Sequence, residues 1–501
     1  MKPHKGFFGK ILGRLSKFSS EEKEKIEHEL PFVVMIFTLM ASSGIAPYES
    51  WKKIRKLPFL PTFKKEADEV VRQVEVLGKD PLTVMYQRCE KTNSKLYRDF
   101  LGGFVSSIRS GGKLVDYMKS ELKTIFELRH NALNNSVEKI ATLVEAYTVM
   151  LIVVLCTYIL FVVFASTSVL DVMGSSSLPN SPIMSYVVAF IFMPMLSVIF
   201  ILVAHNMQKS GLTNLTYLYK KAIITLSIVA IVILVFVLVP TILDSIKPFG
   251  LPEIVTLGLA VASLIPAIQY FKISRINYNA EDSIPRFIRD VTESHKIGFS
   301  PEKSILQATK RKDYGHFSNY LTLMRSQLEW GVTLKKTFTN IQKEIKSWFV
   351  TLNFAMLIET IQIGGNSTQS LEILSKYSEK ERELQINRRS LLKPYILLSF
   401  IWSVLIAVTT TIVSLTTGML TTVVSSSLSS VALTAMNDQM KMFSVGIILQ
   451  CWISGFFIGK ISEGNFGAGF QYSGLLAATA YISLILSQQV LSGLFGIPAI
   501  T

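Results

Sequence analysis

Leu30–Lys56 reads LPFVVMIFTLMASSGIAPYESWKKIRK, and Ile284–Lys310 reads IPRFIRDVTESHKIGFSPEKSILQATK. Laid over each other without a gap, they pair Pro31 with Pro285, Thr38 with Thr292 and Gly44 with Gly298. Pro47 then meets Pro301, Ser50 meets Ser304 and Lys56 meets Lys310. These six coincidences share one spacing of 254 residues, and self-similarity at a fixed spacing sets the architecture before any single motif does. The pattern predicts a helix opened by proline, closed by a left-handed glycine and restarted at a proline in the first helical position.

Working outward, Gly78 matches Gly331, and Gly111-Gly112 (SSIRSGGKLVDYM) matches Gly364-Gly365 (ETIQIGGNSTQSL). A charged helix follows each pair, Lys113–Lys139 and then Gln369–Lys393, and each runs into an apolar stretch. The periodicity is helical: Leu371, Leu374 and Tyr377 share a face, while Lys380, Glu381, Arg382 and Glu383 carry that helix into water. Each repeat is therefore expected to be a bundle of about five or six helices.

The chain has 501 residues, 49% of them hydrophobic, 17% charged, with a mean hydropathy of +0.39. Soluble chains carry roughly 25% charged residues, so much of this one is expected to meet lipid. Segment 1–140 holds 25 Lys/Arg and 17 Asp/Glu, and segment 272–393 holds 20 and 13. The rest is nearly charge-free and contains apolar runs long enough to cross a bilayer, which takes about 20 residues. Seven are read: Ala146–Ser166, Tyr186–His205, Ala222–Leu243, Ile254–Phe271, Pro394–Thr417, Met442–Gly459 and Tyr472–Leu494. Pro31–Met40 is too short and reads as a core helix. The expected fold is an all-α polytopic membrane protein, with about seven transmembrane helices and two homologous cytoplasmic helical-bundle domains.

Loop charges orient the spans through the positive-inside rule. Both polar segments are basic, as is the loop Asn206–Lys221, whereas Thr167–Ser185 and Thr417–Met440 carry no Lys or Arg. The loop Lys460–Gln471 falls on the inner side. The N-terminus and both polar domains are then cytoplasmic and the C-terminus lies outside. The expected divisions are 1–28, a basic amphipathic N-terminal segment; 29–141, the first helical repeat; 142–271, spans one to four; 272–393, the second repeat; and 394–501, spans five to seven. In the first division Phe7, Phe8, Ile11, Leu12, Leu15 and Phe18 share a helical face, which suits either an anionic inner leaflet or packing on the first bundle.

No catalytic constellation, cofactor site or metal site is read. Cys89, Cys156 and Cys451 form no short motif, which argues against a disulfide scaffold or thiolate zinc site. The nearest approach to a phosphate-binding loop, Gly111-Gly112-Lys113-Leu114, has Ser107 in place of the first glycine and Leu114 in place of the hydroxyl. The six histidines are scattered and make no HExxH pattern. Asp171, Asp244 and Asp438 fall in outside loops, not facing each other within the membrane. Glu145 and Glu253 sit at span ends; Glu253 follows Pro252 and reads as a helix N-terminal acid.

The Ser43-Gly44-x-x-Pro47 turn, its second copy at Gly298 and Pro301, and the late Gly-Gly turn before a charged helix resemble the type II secretion system F-domain family. These are the platform proteins of type IV pili, type II secretion systems and the archaellum, and the resemblance covers most of the chain. Two departures, a Gly-Gly pair where bacterial members commonly show Gly-Glu and seven spans where they usually have three, are similar to the archaeal branch. The resemblance implies a non-enzymatic plasma-membrane platform for an archaellum or archaeal pilus, coupling a cytoplasmic hexameric secretion ATPase to insertion of pilin-like subunits. It also implies a homodimer amid membrane lipids, with no nucleic acid and no cofactor.

Expected ATPase contacts are Lys209, Lys220, Lys221, Arg311, Lys312, Lys335 and Lys336, since positive fields speed and orient association with an acidic partner. Gly44, Pro47, Gly111, Gly112, Gly298, Pro301, Gly364 and Gly365 are expected to act as structural turns. The rival reading is a secondary transporter or channel, which calls for a polar cavity, broken spans and inverted repeats.

Overall fold

The computed structural model describes residues 5–57, 60–167, 187–207, 216–238, 250–311, 313–363, 367–424 and 430–495. Among them are sixteen α-helices and no strand. The first repeat comprises α1 (Lys5–Ser42), α2 (Pro47–Arg55), α3 (Pro61–Glu75), α4 (Pro81–Lys91), α5 (Lys95–Arg109) and the start of α6 (Leu114–Thr167). A single π-turn, Val188–Phe192, leads into α7 (Met193–Met207), and α8 (Thr216–Leu238) follows. The second repeat comprises the end of α9 (Leu251–Lys296), α10 (Pro301–Thr309), α11 (Ser318–Glu329, entered through a 3₁₀ turn Gly315–Phe317), α12 (Leu334–Glu344), α13 (Trp348–Ile363) and the start of α14 (Ser367–Val424). The chain ends in α15 (Ser430–Glu463) and α16 (Phe466–Phe495).

The duplication is visible in the helix bounds. Raising the bounds of α2 by 254 gives those of α10, and raising those of α4 by 253 gives those of α12. The left-handed glycines repeat as well: Gly44 (φ +76°) with Gly298 (φ +103°), and Gly78 (φ +64°) with Gly331 (φ +79°). Gly111 has φ +66°, Pro47 and Pro301 open α2 and α10, and Gly364 and Gly365 lie outside the described residues. Only glycine takes this backbone region without steric cost, so each of these turns is written into the sequence twice.

One expectation fails. Pro31 and Pro285 do not open helices; they lie inside α1 and α9. A proline forfeits one backbone hydrogen bond to the preceding turn, and here packing outweighs it. Residues Phe32 to Phe37 beyond Pro31, and Phe287 and Ile288 beyond Pro285, are all but inaccessible to solvent.

The chain divides into two compact units, residues 1–133 with 276–385 and residues 134–275 with 386–501. Three helices, α6, α9 and α14, contribute residues to both, so the divisions placed at 141, 271 and 393 fall inside continuous helices. The first unit has one core. Phe37 stacks edge-on against Trp51, Phe100 and Phe104 at 5.2, 5.9 and 5.3 Å between ring centroids. Each such ring, fully buried, contributes about 1.5–3 kcal/mol.

The second unit contains the apolar helices. Six helices among the described residues are long and apolar enough to cross a membrane: Leu114–Thr157, Val188–Met207, Leu251–Lys296, Thr368–Val413, Lys441–Glu463 and Phe466–Val490. The third expected span, Ala222–Leu243, begins in α8 and runs beyond the described residues.

Two expected loops are largely helical. Lys460–Gln471 contracts to a bend at Gly464 and Asn465. Thr417–Met440 is helical except at 425–429, which lie outside the described residues. α15 and α16 meet along a seam of small residues. A Cβ built on Gly455 would stand 2.2 Å from the Ser473 Cα, and one on Gly459 2.3 Å from the Gly469 Cα. Small residues four apart allow backbones to touch where lipid supplies no hydrophobic drive.

Candidate functional site

The first unit repeats its polar contacts as well as its turns. Thr38 Oγ1 donates to the Met118 carbonyl at 3.4 Å, and Thr292 Oγ1 to the Leu371 carbonyl at 3.3 Å. Both threonines also bond back to the carbonyl four residues earlier. Ser94, capping α5, donates to Glu27 at 3.0 Å; Ser347, just ahead of α13, donates to Glu281 at 2.7 Å. Position by position, these are the same bonds made twice.

A third pair completes the pattern. Arg129 on α6 and Arg382 on α14 occupy equivalent positions. Arg382 reaches Glu281 and Asp282, each at 3.4 Å, and lies 4.8 Å from the Tyr278 ring. Arg129 donates to the His28 carbonyl at 3.4 Å, lies 5.0 Å from the Phe32 ring, and reaches across to Glu381 of the other repeat at 2.8 Å. Further cross-links between repeats run from Lys53 to Glu359 at 3.2 Å and from Ser43 to Ser370 at 3.3 Å. Each charged helix is thus tied by an arginine to its own repeat, and the two repeats are tied to each other.

Two polar features differ between the copies. In the first, Glu29 is buried and accepts from the Thr62 amide and hydroxyl at 3.1 and 2.8 Å and from the Phe63 amide at 3.0 Å. It supplies from a distance the cap that Leu60 cannot give α3. Burial raises its carboxyl pKa, and those hydrogen bonds oppose the rise. In the second copy Asp290 accepts from Arg311 at 2.6 Å and from the Tyr314 hydroxyl. Burial and that carboxylate push the Tyr314 phenol well up. The first copy has Ile36, Leu57 and Leu60 at these positions, all buried.

Residues 34–162 and 287–415 each match the family described as type II secretion system (T2SS), protein F. The two windows are offset by 253 residues, the spacing that relates the helices and their contacts. This chain belongs to the type II secretion system protein F family. A relative, an uncharacterized protein of Methanocaldococcus jannaschii, is 24% identical over 395 residues, covering 73% of this chain and 65% of its own length. The chain thus spans less than two thirds of that curated relative. No solved structure matches.

In this T2SS protein F homologue the expected basic contacts are dispersed. Lys209 and Lys312 lie outside the described residues. Lys220 and Lys221 sit in the first turns of α8, not in a loop, Lys220 exposed and Lys221 half-buried. Arg311 is engaged with Asp290. Lys335 and Lys336 are exposed in the first turn of α12. Lys220 and Lys221 belong to one unit, and Arg311, Lys335 and Lys336 to the other.

Several polar contacts join helices within the second unit. Tyr147 bonds to Ser197 and Ser454 at 3.0 and 2.7 Å, and Gln450 donates to Ser197 at 2.7 Å. Beside them is a cavity of about 30 Å³ lined by Tyr147, Ser403, Cys451 and Leu476 among others. A water needs about 10–15 Å³ on this measure, so the space suits one or two waters. Lys460, fully buried, donates to the Gly464 carbonyl at 2.6 Å and lies 5.1 Å from the Phe466 ring. Glu463 accepts from Tyr270 at 2.7 Å, and Glu253 in the first turn of α9 accepts from Tyr481 at 3.2 Å. Among the described residues, no three His, Cys, Asp or Glu converge to hold a metal.

The equivalences Glu27/Glu281, Ser94/Ser347 and Arg129/Arg382 are legible in the sequence. The signal is the same spacing, 254 before the Gly78/Gly331 turn and 253 after it, carried beyond the 27-residue window.

Proposed function

We propose that this chain is the plasma-membrane platform on which a type IV pilus-like filament, an archaellum or an archaeal pilus, is assembled. In this reading a cytoplasmic hexameric secretion ATPase grips the duplicated helical unit, and α6, α9 and α14 carry its displacement into the bilayer. Pilin-like subunits are thereby moved out of the lipid into the filament base. The chain performs no reaction itself; the nucleotide is hydrolysed by its partner. The inner-side placement of both repeats and a homodimeric state belong to the same proposal.

One observation carries it. The two family-matching windows each consist of helical bundle followed by an apolar helix with no break between them. A stiff helix transmits a push, whereas a flexible linker would absorb it. Fixed positive fields at Lys220 and Lys221 would orient an acidic partner.

The test is charge reversal, Lys220→Glu with Lys221→Glu, in cells that make the filament. Filaments should disappear while the protein still inserts into the membrane; normal filament length and number would overturn the role given to these lysines. Co-purification of the wild-type chain with the hexameric ATPase supports the platform, and substrate uptake by the reconstituted chain alone would replace it with a transporter.

A further inference from the structure

Trp330 is 88% exposed, more than any other large hydrophobic residue described. It stands at the end of α11, and its position is set by the backbone. Its amide bonds to the Ser326 carbonyl at 3.1 Å, the Gly331 amide to Leu328 at 3.0 Å and the Val332 amide to Gln327 at 2.9 Å. With Gly331 at φ +79°, this is a helix stop of the type that closes on a left-handed glycine. The indole is thus held out from the protein surface on a fixed turn.

The first repeat does the same at the same place. Val76, equivalent to Trp330, is 74% exposed and Leu77 56% exposed, immediately before Gly78. A large apolar side chain projecting from one turn could be incidental. Its recurrence on the equivalent turn indicates a surface that is used, and tryptophan is among the residue types enriched at the energetic centres of protein interfaces.

The surroundings say what kind of surface is met. α12 begins at Leu334, three residues past Gly331, and its first turn holds Lys335 and Lys336. Neither lysine has an ion pair among the described residues, and both are exposed. Cations at a helix N-terminus oppose the helix dipole. The cap is missing too: Thr333 makes no side-chain cap bond, whereas its counterpart Asp80 accepts from the Thr83 amide. At the lysine positions the first repeat has Leu82 and Thr83. The second repeat has thus exchanged a favourable acidic cap for two unfavourable cations beside the exposed indole. A local rule broken without structural compensation points to function.

We propose that Trp330, Lys335 and Lys336 form a docking knob for an acidic protein surface containing an apolar pocket, and that Val76 and Leu77 form a weaker, uncharged counterpart. Resting on the platform reading above, the occupant is the secretion ATPase, which as a hexamer presents one surface repeatedly and can meet two equivalent turns.

The experiment uses the full chain in nanodiscs and the purified secretion ATPase from the same cell, with binding followed by interferometry at low and at physiological salt. Trp330→Ala should weaken binding at least tenfold, mainly through faster dissociation, and Val76→Ala with Leu77→Ala by less. Lys335→Glu with Lys336→Glu should slow association and flatten the salt dependence, yet raise the melting temperature, because acids suit a helix N-terminus. A purely structural role for these lysines predicts no such opposition.

Unchanged affinity in Trp330→Ala, with wild type binding well, overturns the knob and leaves the platform intact. Failure of the wild type to bind the ATPase overturns the platform itself. Loss in Trp330→Ala of binding to vesicles of one-third phosphatidylglycerol, with ATPase binding intact, assigns the knob to a lipid surface instead. Loss of a wild-type dimer on mass photometry assigns it to a second copy of this chain.

Discussion

Replacing Arg129 by alanine tests whether the two repeats are locked together or merely adjacent. Its guanidinium side chain is 16% exposed and the Glu381 side chain 4%, at 2.8 Å. The other Glu381 oxygen has no hydrogen-bond partner among the described residues. Arg129→Ala therefore strands a buried carboxylate, which costs about 3–5 kcal/mol. For a unit of this size 1 kcal/mol moves the melting temperature by roughly 2–4 °C, so a drop on the order of 10 °C is expected.

The matched position to Glu381 in the first repeat is Leu128, which is exposed there rather than buried. Glu381→Leu alone should cost less, since Arg129 keeps the His28 carbonyl. Arg129→Met with Glu381→Leu should return close to wild type, because a well-packed apolar pair replaces a buried ion pair at little or no loss. The assay can be confined to this unit. Cys89 is buried within it, Cys451 is buried in the other, and Cys156 is exposed. In a Cys156→Ser, Cys451→Ser background, a thiol-reactive dye added to micelle-solubilised protein reads Cys89 alone. An Arg129→Ala melting point within about 2 °C of wild type, or a double variant as unstable as the single, would refute the lock.

Gly459→Ala puts a Cβ 2.3 Å from the Gly469 Cα, so the α15–α16 seam must open; overpacking of this kind costs about 1–3 kcal/mol, readable as earlier unfolding through Cys451. Thr38→Val and Thr292→Val each remove two hydroxyl bonds of equivalent geometry and should each cost about 1 kcal/mol, with the two losses additive; a large cost at one site only would mean that the repeats are not energetically equivalent. Glu29→Ala uncaps α3 and should cost about 1 kcal/mol. Because the folded Glu29 carboxyl is raised above its unfolded value, its linked stability is fully present below about pH 4.5 and declines as pH rises through the folded value. Glu29→Gln should accordingly flatten the stability–pH curve there; an unaltered curve removes Glu29 from the titration.

The turns and register were legible because their signals are local. A left-handed glycine and a proline in a first helical turn each act within four residues, and the two copies confirm one another. The apolar spans were legible for the same reason, length and composition alone being enough. What escaped reading was whatever tertiary packing decides. Pro31 looks like a helix start, and only the burial of Phe32 through Phe37 makes it an interior residue. Lys460 reads as a loop cation, yet in the fold it closes α15 on the Gly464 carbonyl. Arg311 reads as a free positive contact, and its partner Asp290 lies 21 residues away on another helix. Of the contacts expected for the ATPase, Lys220, Arg311, Lys335 and Lys336 are all exposed; nothing in composition set Lys335 and Lys336 apart, and only their place a few residues after Trp330 does.

The buried pair Asp290 and Tyr314, with the exposed Arg311 that closes on Asp290, has as its counterpart Ile36, Leu60 and Leu57. Fusing two copies into one polypeptide freed each to drift, and here one half became wettable inside while its twin stayed greasy. Two separate identical modules could never diverge in that way, since any change would appear in both. In the platform reading proposed above, a motor closing on this pair would grip a handle with a left and a right, and its stroke would have a sense of direction from the outset.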